Sequence, residues 1–361
     1  MPVRSLLRVF LAVLWLWPAT AFAQVEQWQS YMDAGFQAYQ QGNYPEAEKQ
    51  FTAAVKEAEH FGPEDPRLAT SLNNLAALYY TQGKYAESEP LHKRALAIRE
   101  ETLGPEHPDF AQSLNNLAEL YLVQGRYAEA EPLHKRALAI REKALGPEHP
   151  DFAQSLNNLA AFYYHQGKYA EAAPLYKRSL AIREKALGAE HPDFAQSLNN
   201  LALLYQAQGR YADAEPLYKR ALAIWEKALG PEHPDMAQSL NNLAALYLAQ
   251  GKYAEAEPLY KRSLAIREKA LGPEHPDVAT SLNNLAALYL VQGRYAEAEP
   301  FYKRALAIKE KALGPEHPDL AQILRNYAAL LRKTGRNTEA EKLEARAEAI
   351  RAKHAKENPA K

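Results

Sequence analysis

The hexapeptide Ser71-Leu72-Asn73-Asn74-Leu75-Ala76 returns at Ser113, Ser155, Ser197, Ser239 and Ser281, each copy 42 residues after the last. A period of this length constrains the fold more than any local propensity does. Each unit is one supersecondary module too small to bury its own apolar face, so the units must stack and share a core. Gly83, Gly125, Gly167, Gly209, Gly251, Gly293 and Gly335 keep the same register, and Gly42 stands one residue out of it. The register divides the chain into eight units: 30–70, 71–112, 113–154, 155–196, 197–238, 239–280, 281–322 and 323–361. Residues 24–29 form a short N-terminal extension, and 30–361 reads as one repeat domain with no room for a second.

Within a unit, Leu72, Leu75, Ala76 and Tyr79 fall at i, i+3, i+4 and i+7, the apolar stripe of a helix, here helix A. Gly83 ends it. Leu133, Ala137, Ile140 and Ala144 mark helix B, which stops at Gly146-Pro147. The linker Gly104-Pro105-Glu106-His107-Pro108-Asp109 supplies a C-cap glycine and a proline that cannot continue the helix. Asp109, with Gln112 three residues on, reads as a capping box for the next helix A. Pro90, Pro132, Pro174, Pro216, Pro258 and Pro300 sit near the first turn of helix B, where a missing N–H costs least and a slightly irregular start is expected. The pattern predicts an all-α fold of two antiparallel helices per repeat.

Unit 3 carries Asn115, Asn116, Leu117, Ala118, Leu120, Tyr121, Gly125, Tyr127, Ala130, Leu133 and Ala137, and ends in Leu145 to Asp151. This motif resembles the tetratricopeptide repeat, in particular the 42-residue kind of kinesin light chains, over nearly the whole chain after residue 23. The resemblance implies an α-solenoid, a right-handed superhelix of eight helix-turn-helix repeats. The edge units depart from the motif. Asp65 and Arg67 replace the His and Asp of the linker into unit 2, and Ile323 and Arg325 replace the Ser and first Asn of unit 8. Capping units should differ in this way, because each exposes a face that interior units bury. The polar tail Glu339 to Lys361 is expected to solubilise the C-terminal end.

The chain has no cysteine, which removes disulfides, thiolate metal sites, a cysteine nucleophile and lipobox lipidation. Its 43 basic and 44 acidic side chains leave no basic excess to neutralise phosphates, so nucleic acid is not an expected partner. His107-Pro108-Asp109 and its five further copies match the tripeptide of J-domains, but they recur in every linker after the first and read as turn and cap. Glu106, His107 and Asp109 are adjacent in a turn and do not supply the converging ligands zinc needs. In Gly83-Lys84, Gly167-Lys168 and Gly251-Lys252 a tyrosine follows where a phosphate loop needs Ser or Thr. His92 and His134 take the helix B position held by Tyr176, Tyr218, Tyr260 and Tyr302, and read as packing residues. No catalytic set, metal site or cofactor site stands apart from the repeat, so no enzyme is expected. Lys93-Arg94 and Lys135-Arg136 alternate with Glu87, Glu89, Glu100 and Glu101, the pattern of a solvated, internally paired face.

At 100° per residue, Thr70, Asn73, Ala77, Tyr80 and Thr81 cluster on a side of helix A away from the core stripe, with Asn74 at the margin. The resemblance implies that this side lines a concave groove. The Asn73-Asn74 pair recurs as Asn115-Asn116, Asn157-Asn158, Asn199-Asn200, Asn241-Asn242 and Asn283-Asn284, and unit 8 keeps Asn326. Each amide has a donor and an acceptor, so the ladder, with Tyr80 and Tyr164, is the expected peptide-binding site. The competing reading is an asparagine ladder that ties helix to helix or bonds only to water. Specificity falls to the variable positions Ala77, Glu119, Ala161, Leu203, Ala245 and Ala287, and to Tyr80, Leu122, Tyr164, Gln206, Leu248 and Leu290. This floor lacks the Lys and Arg with which other tetratricopeptide domains clamp a C-terminal carboxylate.

Arg4 and Arg8, the nine-residue apolar run Val9 to Trp17, and Ala21-Phe22-Ala23 read as a secretory signal peptide over 1–23, cut before Gln24. The run is far short of the ~20 residues that span a bilayer. The expected protein is an exported scaffold, periplasmic or secreted, with no transmembrane segment and no catalysis. It would bind an extended protein or peptide segment in its groove. The alternative is a structural envelope protein that self-associates through its repeat faces or ends.

Overall fold

A computed structural model describes residues 23–357, and they form helix pairs without a strand. Unit 1 pairs α1 (23–40) with α2 (Tyr44–Glu59). Units 2 to 4 follow as α3 (Pro66–Thr81) with α4 (Tyr85–Leu103), α5 (Pro108–Val123) with α6 (Tyr127–Leu145), and α7 (Pro150–His165) with α8 (Tyr169–Leu187). Units 5 and 6 are α9 (Pro192–Ala207) with α10 (Tyr211–Leu229) and α11 (Pro234–Ala249) with α12 (Tyr253–Leu271). Units 7 and 8 are α13 (Pro276–Val291) with α14 (Tyr295–Leu313) and α15 (Leu320–Lys333) with α16 (Asn337–Glu357). Each helix packs on the next in sequence, giving an all-α solenoid of eight helical hairpins. The leader read at 1–23 lies, except for Ala23, outside the described residues; 24–29 belong to α1.

The helices start and stop where local chemistry directs, with one change from expectation. The cap of α5 is His107, not Asp109: its ring Nδ1 accepts the Asp109 backbone N–H at 3.1 Å, and Pro108 opens the helix. The same histidine cap recurs at His149, His191, His233 and His275. Gln112 does not close a capping box; its amide donates to Asn116 at 2.9 Å. Gly104 ends α4 at φ 86°, a conformation that favours glycine. Pro90 lies inside α4, five residues beyond its start at Tyr85, so the proline is carried in the second turn.

The cores form where A and B helices of neighbouring units meet. Leu72 and Ala76 are buried as the stripe requires, and so is the residue after the linker aspartate: Phe110, Phe152, Phe194, Met236, Val278 and Leu320 are fully buried. Each large apolar side chain withdrawn from water contributes roughly 1.5–3 kcal/mol. On helix B, Ala137 and Ile140 are buried but Ala144 is exposed; His134 and Arg141 take the core-facing places instead. Residues 340–357 are no loose tail. They belong to α16, which buries Ala340, Ala347 and Ile350.

Six units bring the chain round far enough to touch itself. The A–B turn of unit 1 seats Gly42 on the linker into α13, where an added Cβ would lie 2.9 Å from Pro276. The turn of unit 2 seats Gly83 on the linker into α15, where a Cβ would lie 2.9 Å from His317 Nε2. Ala312 and Leu313 pack against the unit 1 core around Met32 and Tyr44, and the Tyr85 ring meets His354 at 5.6 Å. The contact covers two linkers of an otherwise open series: His107 and His149 are each 41% exposed, whereas His275 is 9% and His317 5% exposed.

Candidate functional site

A helices approach the A helices of adjacent units, as α3 does α5 and α13 does α15, and so make the inner layer of the curve. The asparagines sit there, with the first of each pair buried from Asn115 onward and the second mostly half-buried. They bond to one another across units. Asn116 Nδ2 donates to Asn73 Oδ1 at 2.8 Å, Asn200 to Asn157 at 2.8 Å, Asn242 to Asn199 at 3.2 Å, Asn284 to Asn241 at 2.8 Å and Asn326 to Asn283 at 3.0 Å. The second asparagine's own oxygen accepts from a glutamine one turn earlier, as Gln154 to Asn158 at 2.7 Å. Asn74 is half-buried beside its partner Asn73. The ladder therefore uses the Oδ1 atoms to hold A helix to A helix, and what it can offer a ligand is remaining N–H capacity.

One rung is absent. Asn115 Oδ1 and His134 Nδ1 lie within hydrogen-bond distance at 3.0 Å, and Asn158 Nδ2 meets no acceptor among the described residues. His134 is fully buried, and its Nε2 has no hydrogen bond and lies 3.9 Å from Glu119 Oε1. Burial holds the His134 ring neutral, lowering its pKa to about 4. The Glu119 side chain is partly exposed on the inner layer, and desolvation by burial pushes its carboxyl up to about 7. Tyr80 and Tyr164 also line this layer; Tyr80 packs on Tyr85 at 5.8 Å and Tyr164 on Tyr169 at 5.7 Å, and burial raises both phenols. Sequence reading gave Glu119 as one variable position and His134 as packing. The available signal was that Glu119 carries the one charge in a register otherwise held by Ala77, Ala161, Leu203, Ala245 and Ala287.

The outer layer carries ion pairs between repeats. Arg136 bonds Glu100 at 2.8 Å and Arg220 bonds Glu184 at 3.3 Å, while Lys185 reaches Glu148 and Lys227 reaches Glu190, both at 2.5 Å, always one unit back. Hydrogen bonds from Lys261 and Arg294 hold Glu257 down at about 2. Among the described residues no three histidine or carboxylate groups converge as metal ligands, and no helix is long and apolar enough to cross a membrane.

The tetratricopeptide repeat profile matches seven overlapping windows, 29–101, 67–143, 109–185, 151–224, 193–269, 235–311 and 277–353. The chain belongs to the tetratricopeptide repeat family. Its repeats are of the kinesin light chain type. A kinesin light chain candidate from Podosopora anserina with nearly identical TPR-like repeats is 36% identical over 57% of this chain and 97% of its own, with a TM-score of 0.48. BtubC (BKLC) from P. vanneervenii is 26% identical over 66% of this chain and 93% of its own, with a TM-score of 0.50. The fold of the tetratricopeptide array is also similar to that of the Rap conjugation gene regulator of plasmid pLS20, solved with the Phr* peptide, at 14% identity, 93% and 97% coverage and a TM-score of 0.62. Among curated protein sequences none matches.

Proposed function

We propose that the protein is a non-catalytic scaffold that holds an extended peptide segment of a partner protein against its inner A-helix layer. The observation that carries this reading is the contrast between the two layers. Outer charges such as Arg136 and Arg220 are paired between repeats, while the inner floor varies from unit to unit at half-buried positions, as from Ala161 to Leu203 and from Tyr164 to Gln206. Variation on a fixed frame is how a repeat protein confers selectivity. The Rap regulator solved with its Phr* peptide supports the reading as an analogy of fold. The asparagine ladder sets the spacing of the A helices, and the N–H groups left over serve the ligand main chain.

Binding is tested by retaining partners from an envelope extract on the protein and on three variants. Ala161→Arg and Ala245→Arg fill the floor without removing a rung and should lose the partner, whereas Arg220→Ala on the outer layer should keep it. Retention by the floor variants overturns the reading. Concentration-dependent oligomers of the protein alone, seen by sedimentation, would support the structural alternative. Export is part of the proposal: protein from an extracytoplasmic fraction should begin at Gln24 by intact mass, and a retained Met1 there refutes it.

A further inference from the structure

Resting on that reading of the groove, we propose that the bound segment is proline-rich and extended as a polyproline II helix, with two prolines six residues apart seated on tyrosine pairs of units 2 and 4. Every B helix from α4 to α14 opens on a tyrosine. Of these, Tyr85 and Tyr169 meet a tyrosine of their A helix: Tyr80 lies 5.8 Å from Tyr85 with ring planes at 50°, and Tyr164 lies 5.7 Å from Tyr169 at 41°. Leu122, Gln206, Leu248 and Leu290 hold the A-helix place in units 3, 5, 6 and 7. Tilted, half-buried rings present π faces at an angle, and aromatic-lined surfaces of this kind take rigid proline segments. Among the described residues none of the four phenols has a hydrogen-bond partner, and each keeps its oxygen at the surface, ready to donate to a main-chain carbonyl. The similar pair in unit 1 is spent: Tyr44 is buried and Tyr39 bonds Thr81 at 3.0 Å.

The amides beside these tyrosines decide which main chain fits. Arginine only donates, so Arg141 turns the oxygen of Gln112 toward itself at 2.7 Å. Gln112 Nε2 then donates to Asn116 Oδ1 at 2.9 Å, and Asn116 Nδ2 donates to Asn73 Oδ1 at 2.8 Å. Asn73 ends the run with its oxygen bonded and its Nδ2 at the surface without a partner among the described residues. Asn157 ends the run from Gln196 through Asn200 in the same state. Each stands seven residues before a tyrosine, Tyr80 or Tyr164, and so on the same helix face. Units 2 and 4 thus pair a donor amide with a tyrosine cleft. An ordinary extended segment brings an N–H for every carbonyl, whereas a proline brings the carbonyl alone. The spacing agrees. Packed helices lie about 8–10 Å apart, so two steps from α3 to α7 cover about 16–20 Å. Six residues of polyproline II rise about 19 Å in two full turns, which returns the second proline to the same side.

The test is calorimetric titration of the purified protein with three N-acetylated, C-amidated peptides of alanine and glutamine. One carries prolines at positions four and ten, one at four and eight, and one carries none. The first should bind about tenfold more tightly than the second, a difference of about 1.4 kcal/mol, and the third should bind no better than the second. Tyr80→Leu combined with Tyr164→Leu gives units 2 and 4 the residue that units 3, 6 and 7 already have, so the fold is preserved. This variant should lose the preference for the first peptide and keep the circular dichroism melt. Equal affinity for the two proline peptides, or a preference that survives in the variant, overturns the proposal. Equally tight binding of the proline-free peptide overturns it and leaves the groove reading standing. Binding of no peptide also overturns it, and the groove reading is then decided on its own by partner retention on Ala161→Arg.

Discussion

Ser239 is buried with its Oγ unbonded, and Trp225 stands where other units place the arginine that would bond it. Fourteen residues separate the two, as they separate Arg99 from Ser113 at 2.6 Å, Arg183 from Ser197 at 3.0 Å and Arg267 from Ser281 at 2.9 Å. Trp225 instead joins an apolar cluster with Phe194 and Met236. The unit exchanges a buried ionic hydrogen bond for packing and leaves a hydroxyl behind.

The two serines should therefore answer differently to the same substitution. Ser197→Ala removes an acceptor from buried Arg183 and is expected to cost about 1–3 kcal/mol in urea unfolding. Ser239→Ala deletes a hydroxyl that bonds nothing and should be neutral or stabilising. Equal losses would contradict the assignment.

The contact between distant units is isolated by a pair of glycines. Gly83 at φ +70° and Gly209 at φ +72° have the same backbone, so alanine at either carries the same left-handed strain of about 1–2 kcal/mol. Only at Gly83 does the new Cβ also meet His317; around Gly209 there is open space. Gly83→Ala should lower the melting temperature further and enlarge the radius of gyration in small-angle scattering. Gly209→Ala should leave the radius unchanged.

Acid should loosen the array through its buried histidines. Burial lowers His92 and His134 to about 4 and holds His275 and His317 below their ordinary range. Unfolded, each titrates near 6.5, so between about 6.5 and 4 the unfolded chain binds more protons and stability falls as the pH falls. Calorimetric melts from pH 7.5 to 5 should show this decline. His134→Tyr, the residue type of units 4 to 7, should reduce it.

Removing 323–361 should leave an apolar face on unit 7. Tyr302 loses its stack on Tyr327 at 6.0 Å, and Ala298, Ala305 and Ile308 lose their cover. Exposed surface of this kind promotes association. Light scattering should detect aggregates, and a monomer with an unchanged melting temperature would contradict the capping role of α15 and α16.

Much of this molecule was legible in its sequence, because the repeat fixes which faces must meet. The stripe of Leu72, Leu75 and Ala76 is buried, and the predicted paired outer face is present. What failed depended on single atoms. Histidine was not read as a helix cap because its ring is an uncommon one, yet Nδ1 of His107 reaches the Asp109 amide. Spacing placed Asn157 and Asn200 on one side of their helices but could not show that one oxygen is spent on the other amide. The contact of Gly83 with His317 left no local trace, since the linker Pro-Glu-His-Pro-Asp at 315–319 repeats the exposed one at 105–109. The meeting of distant units is set by small rotations summed over many repeats.

An open solenoid is one-dimensional: each unit touches its predecessor and its successor, and adding a unit adds one interface. The seating of Gly42 on Pro276 and of Gly83 on His317 changes that rule. From the seventh hairpin onward, every added copy of the 42-residue unit gains a neighbour along the chain and another across the turn below. Lengthening the gene by whole repeats would then build the wall of a tube. An array of five units would remain a loose arc, so the count of repeats decides whether the molecule is a crescent or a cylinder.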